Sequence, residues 1–317
     1  MGRGEGSYLA RRDVNSGRRR DRDRQRRGAV GDRTLATAGE LTIRPVRPAD
    51  RDRVVELTKD IWNGHDYIPA VFDDWVGDAA SSFQALEVDG EVVGLQRLRP
   101  YAPGLVWYEG LRIATSHRRR GLARAMLESA IAEAHEQGRG EMRLATGNLD
   151  AVHLFESVGF QRLLDVRWWR GLRVEGGESA RIPSPAEAEK LWPAVAASPG
   201  IELFHGVMAD FNGARDLSAA ELARLAETGM LRVGPGGRAV AGLRRPWGNN
   251  IAVGFLAGAG GSLRELLMAL RFEADADGLD DVVVSLPREH PAADDLLASG
   301  YDFANADDHS YIYALKL

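Results

Sequence analysis

Apolar and polar positions along the chain switch repeatedly between a period of two and a period near 3.6. LTIRP, from Leu41, alternates as a strand, and the following RDRVVELTKDIW places Val54, Val55, Leu57 and Ile61 on one helical face, with Asp50 as the expected N-cap. AVFDDWVGD predicts a second, short helix. FQALEVDGEVVGLQRLRP then reads as a hairpin around Asp89-Gly90, a strong two-residue turn signal. GLVWYEGLRIA predicts a strand, and the segment from Leu122 to about Gln137 a helix closed by Gly138. EMRLATG (strand), DAVHLFESVG (short helix) and FQRLLDVRWWR (strand) complete a first set of elements.

The second half of the chain repeats this order. GMLRVGPGGRAVAGLRRP (229–246) has the hairpin rhythm of SFQALEVDGEVVGLQRLRP (82–100), and strand, helix, strand, helix and strand follow in IAVGFLAG, SLRELLMALRFEADADG, DVVVSLP, PAADDLLASGY and SYIYALKL. Gly121 to Gly159 spans 38 residues and Gly261 to Gly300 spans 39. Agreement in both order and spacing predicts an internal duplication of a whole domain. Hairpin strands mixed with helices place each copy in the α+β class, a mixed and mostly antiparallel sheet flanked by helices. The expected boundaries are a tail over 1–40, a first domain over 41–170, a linker over 171–180 and a second domain over 181–317.

Composition narrows the chemistry. At 317 residues with 44% hydrophobic and 27% charged positions, the chain has room for two globular domains. There is no cysteine, which excludes disulfides, thiolate metal ligands and a cysteine nucleophile. The seven histidines lack ligand spacing, so no metal site is expected. No apolar run is long enough for a membrane helix, and the basic start has no apolar signal-peptide core. A cytoplasmic protein without membrane contact is the expectation. The charge of −5 is uneven, because residues 1–40 hold 11 arginines against six acids. That tail is poor in large apolar residues and is expected to be disordered. Its interspersed acids favour a solvated extension over a nucleic-acid arm.

A second basic cluster needs a different account. In SHRRRGLARAMLESA, three arginines run from a strand into a helix start, while Leu122, Ala123, Met126, Leu127, Ala130 and Ile131 share the packed face of that helix. A helix start presents unpaired N–H groups and the positive end of a dipole, and Gly121 lets the backbone approach a ligand. Adjacent arginines add charge-assisted bonds, so the pattern suits a pyrophosphate. Glu128, Glu133 and Glu136 on the same helix argue against nucleic acid.

Arg118-Arg119-Arg120-Gly121-Leu122-Ala123 resembles the R/Q-x-x-G-x-G/A signature of the GCN5-related N-acetyltransferase (GNAT) superfamily. Asn148, Ala151, Leu154, Phe155, Gly159 and Phe160 resemble its downstream motif N-x-x-A-x-x-L-Y-x-x-x-G-F. The resemblance covers roughly 41–170. It implies tandem GNAT-like domains with acetyl-CoA as co-substrate, its pyrophosphate cradled by Arg118 to Ala123. Pantetheine would pair along Leu111, Arg112 and Ile113, with Asn148 and Phe155 near its thioester end. Where the family often has a tyrosine able to protonate the leaving thiolate, this chain has Phe155. Tyr101, Tyr108 and Ser157 are the other hydroxyls considered for that proton.

By the same resemblance Glu109 is the candidate catalytic base, with a strand N–H near Leu111 placed for the oxyanion. The aromatic and acidic WNGHDYIPAVFDDW supplies an acceptor region, with Asp66, Tyr67 and Trp75 as candidate substrate contacts. GHDYIP with the following Phe and Trp resembles, less specifically, the histidine N-acetyltransferase group. The expected function is acetyl transfer to a small-molecule amine, an amino acid such as histidine included. Protein N-terminal or lysine acetylation and a non-catalytic acyl-CoA sensor are the alternatives. The second domain, with LAGAGGSLRE in place of RRRGLA, is expected to be degenerate. Scaffolding, completion of the acceptor pocket and a pseudo-dimer interface all remain open for it. The halves are expected to pack on each other within a monomer or homodimer.

Overall fold

The structure is a computed structural model and describes residues 40–304 and 310–317, without the side chains of 62 and 63. The basic tail lies outside the described residues. The first half contains β1 (Leu41–Pro45), α1 (Arg51–Thr58), α2 (Ile68–Gly77), β2 (Ser82–Val88), β3 (Glu91–Ala102), β4 (Leu105–Ile113), α3 (Leu122–Glu136), β5 (Glu141–Thr146), α4 (Leu149–Ser157) and β6 (Gln161–Leu172). The second contains α5 (Pro185–Ala196), α6 (Ala219–Glu227), β7 (Leu231–Val233), β8 (Val240–Arg244), β9 (Asn250–Ala257), α7 (Gly260–Ala276), β10 (Asp281–Pro287), α8 (Ala293–Ala298), β11 (Asp302–Phe303) and β12 (Ser310–Lys316).

The predicted elements are present in the predicted order, with two local corrections. Val55 is 44% exposed, and the buried face of α1 is Val54 and Thr58 instead. Adjacent helical positions point apart, and only the Val54 side of α1 meets the core. Asp50 makes no side-chain cap to α1. Its carboxylate is taken by Arg44 at 2.8 Å and by the Arg47 N–H at 2.7 Å, and these hold it below the usual carboxylate range, the Arg44 bond foremost. The Asp89-Gly90 turn has φ of 52° and 80°, the paired positive values that suit a tight hairpin.

All the main strands join one sheet in the order β1-β2-β3-β4-β5-β12-β6-β10-β9-β8-β7, with β11 beside β6. The halves exchange their final strands. β12 pairs antiparallel with β5 on one side and with the start of β6 on the other, while β6 pairs with β10 from Val166 to Leu172. The alternation of β12 serves two cores at once. Tyr311 and Tyr313 pack with Leu144, Phe155 and Phe160, whereas Ile312 joins the larger core of the second half with Leu164 and Val166.

A loop of the second half, 207–217, is also latched to the first. The Tyr101 hydroxyl and Arg143 Nη1 both donate to the Ala214 carbonyl at 2.7 Å, and Arg99 Nη2 donates to the Asn212 carbonyl at 2.6 Å.

The second half differs from the first where its own strands end. Past the C-terminal end of β9, the Ser198 hydroxyl accepts the Gly258 N–H at 2.6 Å. Phe204 is fully buried there, with the His290 ring 5.6 Å from its own. The start of α7 is met by a carboxylate, since Gly260 N–H donates to Asp295 Oδ2 at 2.8 Å.

Two stability measurements follow from this packing. Ile312→Ala removes a fully buried side chain from the exchanged strand and is expected to cost about 2–5 kcal/mol in urea denaturation; a cost below about 1 kcal/mol would mean β12 contributes little. Burial pushes His290 down to about 4. The folded state then binds fewer protons than the unfolded state between that value and the ordinary pKa near ~6.5, so stability should fall as pH drops through this window. His290→Leu should remove this part of the acid sensitivity, read as the difference between the two proteins' stability–pH curves. Superimposable slopes from pH ~6.5 to ~4 would contradict it.

Candidate active site

The turn between β4 and α3 is built for an anion. After a 3-10 turn at Thr115–His117, Arg119 and Gly121 take positive φ of 60° and 80°. Gly121 stands at the N-cap position with no side-chain cap, and a Cβ added to it would meet nothing within 4 Å. The N–H groups of Arg119 to Arg124 donate to no described residue. Arg118, Arg119 and Arg120 are exposed around them, and Arg118 Nε steadies the turn by donating to the Ile113 carbonyl at 3.2 Å. Below, Leu122, Met126 and Leu127 are buried and fix the helix against the sheet. Ala123 is half-buried beside them.

Beside this helix start the sheet opens. β4 and β5 pair in parallel only from Leu105–Glu141 to Trp107–Arg143. Beyond that point β5 continues against β12, and β4 against β3. The edge of β4 that faces the opening, through Leu111, Arg112 and Ile113, is therefore free of β5. A bulge in the β3–β4 ladder falls at the same place, between the pairs Arg97–Glu109 and Leu95–Arg112. Gly110 occupies the bulge with φ 73°, and a Cβ there would stand 3.0 Å from the Trp75 ring. Only glycine meets both demands.

The face of the sheet at this bulge carries a charged and aromatic cluster. Glu109 Oε1 accepts from Arg97 Nη1 at 2.7 Å and from Arg99 Nε at 3.1 Å, and its side chain is 14% exposed. Arg97 also binds Asp78 at 2.6 Å, and its guanidinium lies 4.6 Å over the Trp75 ring. Trp75 meets Tyr67 edge-on at 5.8 Å. Asp66 is clamped, accepting from Arg112 Nε at 2.7 Å and from the Ile68 N–H at 3.0 Å. Tyr67 is 39% exposed beside it. Desolvation, aided by Glu109 and Asp66 and opposed by Arg112, pushes its phenol up to about 12.

Thus Asp66, Tyr67 and Trp75 of one segment meet Glu109 and Arg112 of another. Asp66 holds the loop to β4 with an almost fully buried carboxylate, and the Arg112 side chain is its partner. Arg97 and Arg99 complete the cluster and were not among the residues singled out from sequence. Their signal was alternation, because both charges fall on one face of an otherwise apolar strand.

On the far side of the opening, Asn148 caps α4 by accepting the Asp150 N–H at 3.0 Å. Phe155 is 4% exposed, edge-on to Tyr108 and Phe160. The other hydroxyls are engaged. Tyr108 donates to Gln96, Tyr101 to the Ala214 carbonyl and Ser157 to the Leu154 carbonyl. Burial moves both tyrosines well above the usual phenol range.

The Acetyltransferase (GNAT) family profile matches residues 51–160. N-acetyltransferase family 8 member 3 of Rattus norvegicus is 34% identical over 89 residues, 26% of this chain and 39% of that protein. A histidine N-acetyltransferase of Oreochromis niloticus is 29% identical over 94 residues, 29% of this chain and 28% of its own length. The chain thus spans well under half the length of either relative. A tandem GNAT protein from the clavulanic acid biosynthesis pathway superimposes with a TM-score of 0.53 at 15% identity, covering 87% of this chain and 98% of the other. Residues 51–160 are a GNAT-family domain, set within a fold of the tandem GNAT kind.

Proposed function

We propose that the chain transfers an acetyl group from acetyl-CoA to the amine of a small molecule, with amino acids such as histidine as the leading acceptors. One observation carries the reading: the uncapped start of α3 lies beside the stretch of β4 that β5 has left, with Glu109 on that strand. The N–H groups from Arg119 to Ala123 would hold the pyrophosphate, with Arg118 and its neighbours supplying charge. The edge through Leu111 to Ile113, which β5 has left, would hold the pantetheine arm as an added strand once the Arg112 and Arg118 side chains yield the Leu111 and Ile113 carbonyls, and Asn148 would stand at its far side.

The amine nitrogen attacks the thioester carbonyl carbon, the C–N bond forms and the C–S bond breaks. Glu109 accepts the ammonium proton, directly or through a water. A strand N–H near Leu111 would stabilise the oxyanion. The reading assigns no protein acid to the departing thiolate, because Phe155 has none to give and Tyr101, Tyr108 and Ser157 are already engaged. Thiols ionise near ~8.5, so this leaving group tolerates the lack. Tyr67 and Trp75 would form the acceptor wall. The second half would bind no cofactor, since Asp295 already meets the start of α7.

Calorimetry should therefore find one acetyl-CoA per chain. Gly121→Glu, which places a carboxylate and a strained backbone at φ 80°, should weaken it at least ~10-fold. Two equal sites, or an unchanged affinity, would refute the assignment. Thiol release across an amine panel separates the alternatives. Release with peptides alone favours a protein acetyltransferase, and binding without release favours a sensor.

Glu109→Gln should lower turnover ~100- to 10,000-fold with acetyl-CoA affinity retained. The defect should shrink as pH rises toward the amine's own pKa, near ~8 for an α-amine, where free base no longer limits the rate. Parallel pH–rate profiles offset by less than about threefold would leave Glu109 as an anchor for Arg97 and Arg99 only.

A further inference from the structure

A cavity of about 480 Å3 lies between the end of β3 and the second half, a size suited to a small molecule. Arg99, Arg215, Arg224, Arg244 and Arg245 line it against only two acids, Asp210 and Glu221. Most of these arginines have partners. Glu221 takes two bonds from Arg224, at 2.8 and 2.6 Å, and Arg215 donates to the Tyr101 carbonyl.

Arg244 is buried and bonds to no carboxylate among the described residues. It is 2% exposed, yet its contacts are a 3.2 Å bond to the Arg245 carbonyl and a 3.2 Å bond to the Ser285 hydroxyl. Its Nε is buried with no acceptor, as is Asn212 Nδ2 on the same cavity. Trp168, Phe211 and Trp247 surround the guanidinium at 4.8, 5.7 and 5.3 Å. Burial pushes it down to about 10, against the field of Asp210, so it stays cationic at neutral pH. Beyond the field that Asp210 supplies, a buried cation with an unmet N–H gains from a ligand that brings an acceptor. Arginine's planar fork matches a carboxylate, and the two acids already present would oppose a more highly charged phosphate.

The cavity adjoins the reaction end. Arg99 lines it, donates through Nε to Glu109 and through Nη2 to the Asn212 carbonyl. We propose that this cavity receives the carboxylate of the acceptor at Arg244, so that the chain selects amines carrying an acid group, with the amine directed past Arg99 toward Glu109. The inference rests on the acetyl-transfer reading and names the substrate class for it.

The test compares amino acids with their decarboxylated partners on the full chain, L-histidine with histamine and L-phenylalanine with phenethylamine among them, by thiol release at saturating acetyl-CoA. The better amino acids should show kcat/KM at least ~100-fold above their partners, because a site built for a charged group rejects analogues that lack it. Arg244→Met should collapse that advantage ~10- to 100-fold, with the loss falling on KM. Arg224→Gln, on a more open wall, should raise the same KM ~3- to 10-fold and decides the matter alone if the buried variant does not fold. Calorimetry of the same amino acids supplies a readout that does not depend on turnover. Release that is equal with and without the carboxylate overturns the inference and leaves acetyl transfer standing. Amino-acid binding that Arg244→Met weakens, without release from any amine, supports the cavity and overturns the transfer reading. Neither binding nor release of any amino acid overturns both.

Discussion

Backbone hydrogen bonding along β5 is the constraint on which the rest of the structure depends. β4 parts from β5 after Trp107, and that parting strips β5 of a partner on one side. Buried backbone groups left without partners are costly, so β5 must be held firmly from its other side. β12 supplies that support, pairing from Thr146–Tyr311 to Glu141–Lys316. The opening in one half is therefore secured by a strand from the other. The two halves are one sheet, with the opening between β4 and β5 inside it.

Charge follows the same logic of shared support. Arg97, with a side chain only 7% exposed, is tolerable because Asp78 and Glu109 accept hydrogen bonds from its two Nη groups and Trp75 covers its face, with Nε left without an acceptor among the described residues. Neutralising any one member would leave the others buried with unbalanced charge. Arg99 extends the network from Glu109 to the 207–217 loop, so the reaction end and the contact between the halves share a side chain. A carboxylate held by two guanidiniums on one oxygen is fixed in direction, which suits a group that must face a substrate from a defined angle.

Much of this was legible in the sequence. The hairpin at Asp89-Gly90, the basic loop before α3 and the repeat of elements follow from turn chemistry and periodicity. Two helices did not emerge from that reading. α5 and α6 carry recognisable starts, Ser184-x-x-Glu187 and Ser218-x-x-Glu221, and both serines cap as that spacing predicts. Pro193 inside α5 broke the pattern that would have extended the first. The exchange of β6 and β12 was invisible for a deeper reason. Both strands alternate equally well in either partner's sheet, and nothing local in a strand names its neighbour. Arg97 and Arg99 were missed because a charge on a central strand looks misplaced until its partners are known.

The place of β12 also sets a schedule. Its contacts with β5 close a loop of about 165 residues, and long-range strand pairing of this kind slows folding. During synthesis the segment with the arginine turn emerges well before the strand that secures its sheet. A nascent chain would thus hold β5 as a bare edge, exposed to mispairing, until residues 310–316 arrive. The exchange makes assembly of the first half wait for the second, a quality check written into the order of the strands.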